Sequence, residues 1–215
     1  DIDPAALDRR GILEILRAEM ATRARFVLGD QAVRDIVNGA FRSAGQRCSA
    51  LRCLYVQEDI ASHMIPMIQG AMDELVVGDP RDLATDVGPV IDEAARDDIA
   101  GYLAANGNRV IHGLGVPAHG TFVPPTMLRV DGIADLEREI FGPVLTVQAF
   151  DTDDEAIALA NDTDYGLGAA IWTQRMSDGH RAARALRAGT VWVNCYDHTS
   201  INAPFGGYKQ SGQGR

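Results

Sequence analysis

The chain has 215 residues, 46% hydrophobic and 23% charged, which argues against a disordered chain and suits one sizeable globular domain or two small ones. Its formal charge of −10 argues against a nucleic-acid surface, because phosphate binding needs clustered Lys and Arg. No apolar run approaches the roughly 18 residues that span a bilayer, and the amino-terminal stretch is too charged for the apolar core of a signal peptide.

Residues 5–20 carry apolar positions at helical spacing (Leu7, Ile12, Leu13, Ile15, Leu16, Met20), and 31–44 read as a second helix. Leu51–Gln57 is a β-leaning run, followed by a helical stretch from Ile60 to Val76 that Gly78-Asp79-Pro80 terminates. Next come a helix over 92–105, a strand over 108–112 and a Gly/Pro loop through 126, in which Pro124-Pro125 is the one candidate hinge. The remainder reads as strand Val144–Phe150, helix 153–161, strand 168–173, helix 177–187 and strand 190–194. Strands separated by helices predict the α/β class: an open, mostly parallel sheet of about five strands with helices on both faces. Parallel connections place the functional loops at the strands' carboxyl ends, after Phe150 and Asn194.

Cys48, Cys53 and Cys195 have no CxxC spacing and leave one thiol unpaired, so neither a disulfide framework nor a cysteine zinc site is supported. A reducing cytoplasm fits, and no metal is expected. A lone cysteine commonly packs as a small hydrophobe. Cys48, however, lies in Gly45-Gln46-Arg47-Cys48-Ser49-Ala50, small and polar residues beside a positive charge that suit either an approachable nucleophile or a tight structural turn. Cys195 and His198 are close in sequence but lack further ligand spacing for a metal. The run from Asp1 to Gly214-Arg215 lacks capping or tail signals, which gives the expectation of a fragment.

Glu139-Ile140-Phe141-Gly142-Pro143 and Pro204-Phe205-Gly206-Gly207-Tyr208-Lys209-Gln210-Ser211-Gly212 are unusual as plain loops. With the Cys48 run, Gly78-Asp79-Pro80, Gly88-Pro89, Asn161–Leu167 and Trp172-Thr173, they resemble the NAD(P)-dependent aldehyde dehydrogenases over residues 26–215. The resemblance implies that 26–215 is a catalytic domain, with 1–25 a divergent helical lead-in and the cofactor-binding half absent. It implies Cys48 as the nucleophile, Glu139 as the carboxylate holding the nicotinamide ribose, and Phe141 as the aromatic beside the nicotinamide. It also implies Phe205 lining the aldehyde pocket and Ser49 as a substrate contact. Gly206, Gly207 and Gly212 fit either close backbone approach there or a structural turn. The implied cofactor is NAD or NADP, and the implied partners are a small-molecule aldehyde, the missing nucleotide-binding half and, in the full-length protein, further copies of itself. No nucleic acid or membrane partner is expected.

The departures from the family carry equal information. Glu19 overlays the family's general base, but the two glycines that aim that carboxylate are missing; as a helix charge, Glu19 pairs instead with Arg23. No GxGxxG opens a βαβ unit, and Gly113-Leu114-Gly115 lacks the third glycine, so the chain alone is expected to bind NAD poorly and be inactive. Ser43–Arg52 and Gly120–Pro125 look like the L-glutamate γ-semialdehyde dehydrogenases, including the bifunctional proline-utilisation enzymes of proline catabolism. From Tyr165 onward the chain is more similar to the betaine-aldehyde and aminobutyraldehyde type, and Tyr208-Lys209-Gln210 interrupts the semialdehyde pattern. The expected reaction is oxidation of an aldehyde to a carboxylic acid, with the semialdehyde as leading substrate and an aminoaldehyde as alternative. The competing class is a non-catalytic homologue with an assembly role.

Overall fold

The computed structural model describes residues 24–132, 135 and 138–213, and the Glu19 and Arg23 readings, like the helix over 5–20, lie outside these. Helix α1 (Ala24–Phe41) presents Val33, Ile36, Val37, Ala40 and Phe41 as a buried stripe at the three- and four-residue spacing of one helix face. Strand β1 (Cys53–Gln57) leads into α2 (Glu58–Asp73), whose Ala61, Ile68 and Met72 are buried against the same core. Each fully buried side chain of the Ile68 or Met72 kind contributes about 1.5–3 kcal/mol through the water it sheds. Helix α3 (Glu93–Ala105) starts at Asp92, whose Oδ1 accepts from Ala95 N at 2.8 Å.

The next strands, β2 (Val110–Gly113), β3 (Thr126–Arg129) and β4 (Val144–Phe150), join β1 in a sheet of order β1-β4-β3-β2. All of its pairings are parallel except β2 with β3. Val144, Leu145, Thr146 and Val147 are buried in succession, and because side chains alternate across a strand, both faces of β4 are covered. Helix α4 (Asp153–Asn161) begins at Thr152, whose Oγ1 accepts from Glu155 N at 3.2 Å, while Glu155 reaches back to Asp151 N at 2.8 Å. A second, two-stranded parallel sheet pairs β5 (Gly168–Ile171) with β6 (Thr190–Val193), and α5 (Met176–Ala185) forms their crossover. Arg181 of α5 meets Asp153 at 2.5 Å and Asp154 at 3.1 Å on α4.

The α/β class and the mostly parallel pairing hold. The strands, however, number six among the described residues and fall into two sheets rather than one of about five. Thr126–Arg129 is a central strand that begins where the expected loop ends, in a stretch for which no element was expected. Pro124-Pro125 is no hinge: Pro125 is fully buried and its carbonyl accepts from Leu114 N at 3.1 Å. A cleft of about 590 Å³ opens beside β1, lined by Leu54, Ile60, Ile157, Ile171 and Leu186, and neither Cys48 nor Glu139 reaches it. No helix among the described residues is long and apolar enough to cross a membrane.

Arg109, at the entry to β2, grips Asp135 through Nη1–Oδ2 at 2.6 Å and Nη2–Oδ1 at 2.8 Å. That grip, aided by the Asp131 amide, holds the Asp135 carboxyl down at about 2, below its ordinary 3.8. A carboxyl depressed in the folded state contributes stability above its unfolded pKa and loses it as pH falls through the folded one. Amide protection near Asp131 is therefore expected to weaken between about pH 4 and pH 2, and hydrogen exchange across that range measures it. The pair is solvent-facing, so added salt is expected to shrink the effect.

Candidate active site

Three consecutive residues with positive φ, Ser43 (56°), Ala44 (51°) and Gly45 (65°), end the α1 segment in a left-handed turn. The turn throws the chain across the Glu139–Pro143 segment, and a Cβ on Gly45 would press into the Gly142 carbonyl and lie 2.9 Å from Pro143 N. A second turn, closed by Ala50 N donating to Arg47 O at 3.1 Å, carries Cys48 at its exposed tip. Exposure separates the cysteines. Burial pushes the Cys53 thiol up, which makes it a poor nucleophile, whereas Cys48 is open to a reactant.

Two side chains join the Cys48 turn to the segment carrying Glu139 and Phe141. Gln46 Nε2 donates to Phe141 O at 3.2 Å, and its Oε1 accepts from Ile91 N at 2.8 Å. Arg52 Nη1 donates to Gly45 O at 2.6 Å and to Gly142 O at 3.2 Å, and Nη2 donates to Arg47 O at 3.1 Å. The same guanidinium pairs through Nε with Glu139 Oε1 at 3.1 Å and lies over the Phe141 ring, 4.8 Å from its centroid. Glu139 and Phe141 remain exposed.

The loop after β6 holds the turn from another direction. Asn194, itself at φ 56°, brackets Thr173 by accepting from its N–H at 2.9 Å and donating to its carbonyl at 2.9 Å. Trp192 Nε1 donates to His198 O at 2.7 Å, and the Trp192 and Tyr196 rings meet tilted, 5.5 Å apart. From this loop the Tyr196 hydroxyl donates to Ser49 O, and Asp197 pairs with Arg47. Burial pushes the Tyr196 phenol up to about 12, so it stays a proton donor at neutral pH. The hydrogen bond to Asp197 holds the Arg47 guanidinium above its ordinary range. Arg47 Nη2 also donates to Ser49 Oγ at 3.2 Å.

The structure thus brings Cys48, Ser49, Glu139 and Phe141 into one neighbourhood. No hydrogen bond or ring contact joins Phe205, which is 47% exposed, to the Cys48 turn among the described residues. Two glycines of its segment are closely packed: a Cβ on Gly207 would press on Ser211, and a Cβ on Gly189 would collide with Gly206 O. Lys209 Nζ donates to the Asn161 and Thr163 carbonyls at 2.7 Å each, so the Tyr208-Lys209-Gln210 interruption fastens the chain to the end of α4. His198 is exposed and Cys195 half-buried, and no group of three or more metal-ligating side chains occurs among the described residues.

The site lies at the amino ends of β1 and β4, contrary to the expected carboxyl ends, because Cys48 and Phe141 sit on the turns entering those strands. Only the run after β6 reaches it, while that after Phe150 borders the cleft. Sequence reading named Gln46 only as part of the polar approach to Cys48, and singled out neither Arg52 nor Tyr196 and Asp197. An arginine at the mouth of an apolar strand was the one available signal for Arg52.

The profile of the Aldehyde dehydrogenase family matches residues 27–215. The chain belongs to that family. Among solved aldehyde dehydrogenases, the γ-glutamyl-γ-aminobutyraldehyde dehydrogenase of Burkholderia cenocepacia is 42% identical with a TM-score of 0.83, covering 87% of this chain and 39% of that one. The betaine aldehyde dehydrogenase of Staphylococcus aureus in complex with NAD+ is 34% identical with a TM-score of 0.82, covering 87% and 39%. A Proline Utilization A variant from Bradyrhizobium japonicum is 36% identical with a TM-score of 0.82, covering 87% of this chain and 20% of that one. The chain spans about 40% of the length of the curated relatives it matches.

Proposed function

We propose that the full-length protein containing this chain oxidises an aldehyde to a carboxylic acid with NAD or NADP, and that residues 26–215 are its catalytic domain. The observation that carries the reading is the exposed Cys48, on a turn tied through Arg52 and Gln46 to Glu139 and Phe141. The Cys48 sulfur attacks the aldehyde carbon as its proton passes to the aldehyde oxygen, giving a thiohemiacetal; loss of hydride from that carbon and of the hydroxyl proton to solvent leaves a thioester, which water cleaves to the acid and the free thiol. The residues fit a nicotinamide cofactor. Arg52 occupies Oε1 of the exposed Glu139 and, among the described residues, nothing bonds Oε2, which leaves an acceptor for ribose hydroxyls beside the Phe141 ring. When bound, the nicotinamide supplies the hydride acceptor. The remaining cofactor contacts belong to a nucleotide-binding half outside this chain.

L-Glutamate γ-semialdehyde is the leading substrate: the Ser43–Arg52 run carries that likeness, and Arg47 beside Ser49 Oγ offers a cation and a hydroxyl to a substrate carboxylate. An aminoaldehyde is the second reading, favoured by Asp197, whose carboxylate already neutralises Arg47, and by the likeness from Tyr165 onward. Phe205 lines the aldehyde pocket in either case. Three free thiols suit a reducing cytoplasm. The test is NAD(P)H formation by the full-length protein with both substrate types. The semialdehyde is expected to give at least about tenfold higher kcat/KM, worth about 1.4 kcal/mol of transition-state binding. The reverse order would assign the aminoaldehyde, and no turnover with either would sink the reading.

A further inference from the structure

We infer that Arg52 is a positioning residue that sets the spacing between the nucleophile turn and the Glu139–Phe141 segment and aims the Glu139 carboxylate. The role rests on the dehydrogenase reading above. One guanidinium collects carbonyls from three residues, Gly45, Arg47 and Gly142, that belong to two segments far apart in the chain. Gly45 and Arg47 flank the approach to Cys48, and Gly142 follows Phe141. The planar fork suits this work, because its donors are fixed relative to one another, so bonds to several acceptors define a geometry as well as an attraction.

The orientation at Glu139 follows from the same group. Nε takes Oε1, and the cation sits over the neighbouring ring, so the carboxylate and Phe141 are both held by one charge. Arg52 is itself anchored: its carbonyl accepts from Thr146 N at 2.9 Å and Thr146 Oγ1 at 3.1 Å, inside buried β4. The side chain therefore transmits the position of the sheet to both loops. Lysine in its place keeps the charge near Glu139 and loses the fork.

The test compares R52K and R52Q with the parent in the full-length protein. R52K is expected to lower kcat at least tenfold with the aldehyde KM changed less than threefold, while KM for the cofactor stays within threefold. R52Q, which also loses the charge opposite Glu139, is expected to add a fivefold or larger rise in cofactor KM. Should R52Q fail to fold, R52K decides. A second readout needs no turnover: the iodoacetamide rate at Cys48, measured by mass spectrometry against Cys195 in the same molecule, is expected to change at least threefold in R52K. A folded R52K with parental kcat and parental Cys48 rate overturns the positioning role. An inactive parent whose Cys48 rate still shifts in R52K overturns the dehydrogenase reading and leaves the positioning role standing.

Discussion

Cys48→Ser in the full-length protein is expected to abolish aldehyde oxidation, a fall of at least about a thousandfold in kcat, with folding intact. In the proposed reaction the sulfur carries the covalent step. A serine hydroxyl lacks both the acidity and the polarisability of a thiol. Cys48 is exposed at the tip of its turn, so the exchange of one small side chain for another leaves packing untouched. Progress curves of NAD(P)H formation, read beside circular dichroism of the same sample, check both halves of the expectation. Retained turnover in a folded Cys48→Ser protein would move the nucleophile elsewhere, and buried Cys53 is a poor second choice.

Gly45→Ala is expected to cost at least about 3 kcal/mol of stability, far more than a typical exposed-loop substitution. Two effects add. The φ of 65° lies in the left-handed region that an L side chain enters only with strain. The new Cβ also presses on the Gly142 carbonyl and Pro143 N, which are backbone atoms in a buried segment and cannot rotate aside. Relief requires the Cys48 turn and the Glu139 segment to separate, so activity is expected to fall alongside stability. Urea unfolding followed by the fluorescence of Trp172 and Trp192 reads the first effect. A midpoint equal to the parent's would show that the two segments pass at a greater distance.

The parts of the fold that were legible in the sequence are those in which local pattern and tertiary environment agree. Val144–Phe150 and Asp153–Asn161 have the predicted bounds, since a long apolar strand followed by a Thr cap and three acidic residues states its own limits. Thr126–Arg129 was missed because two prolines announce a loop, and four residues are too few to show a period. The division into two sheets was hidden for a different reason: which strand pairs with which is decided by long-range contacts that no local run encodes. The same limit applies at the site. Cys48, Glu139 and Phe141 stand in recognisable runs, but Arg52 finds Glu139 87 residues away and Gln46 finds the Phe141 carbonyl 95 residues away. Their polarity alone reads as solvated surface.

The fastening of the Cys48 turn from two directions separates two kinds of tuning. Arg52 ties it to the four-stranded sheet and to Glu139 and Phe141, while Tyr196 and Asp197 tie it to the loop leaving the two-stranded sheet. On the proposed reading, changes in the 195–205 loop are expected to move the Ser49 carbonyl and the Arg47 side chain, and with them the choice of aldehyde, while the bonds from Arg52 to Gly45, Gly142 and Glu139 stay in place. If the full-length protein is the proposed dehydrogenase, substrate preference is then the adjustable end of a turn whose other end is fixed, and an evolving sequence is free to exchange one aldehyde for another without rebuilding its nucleophile.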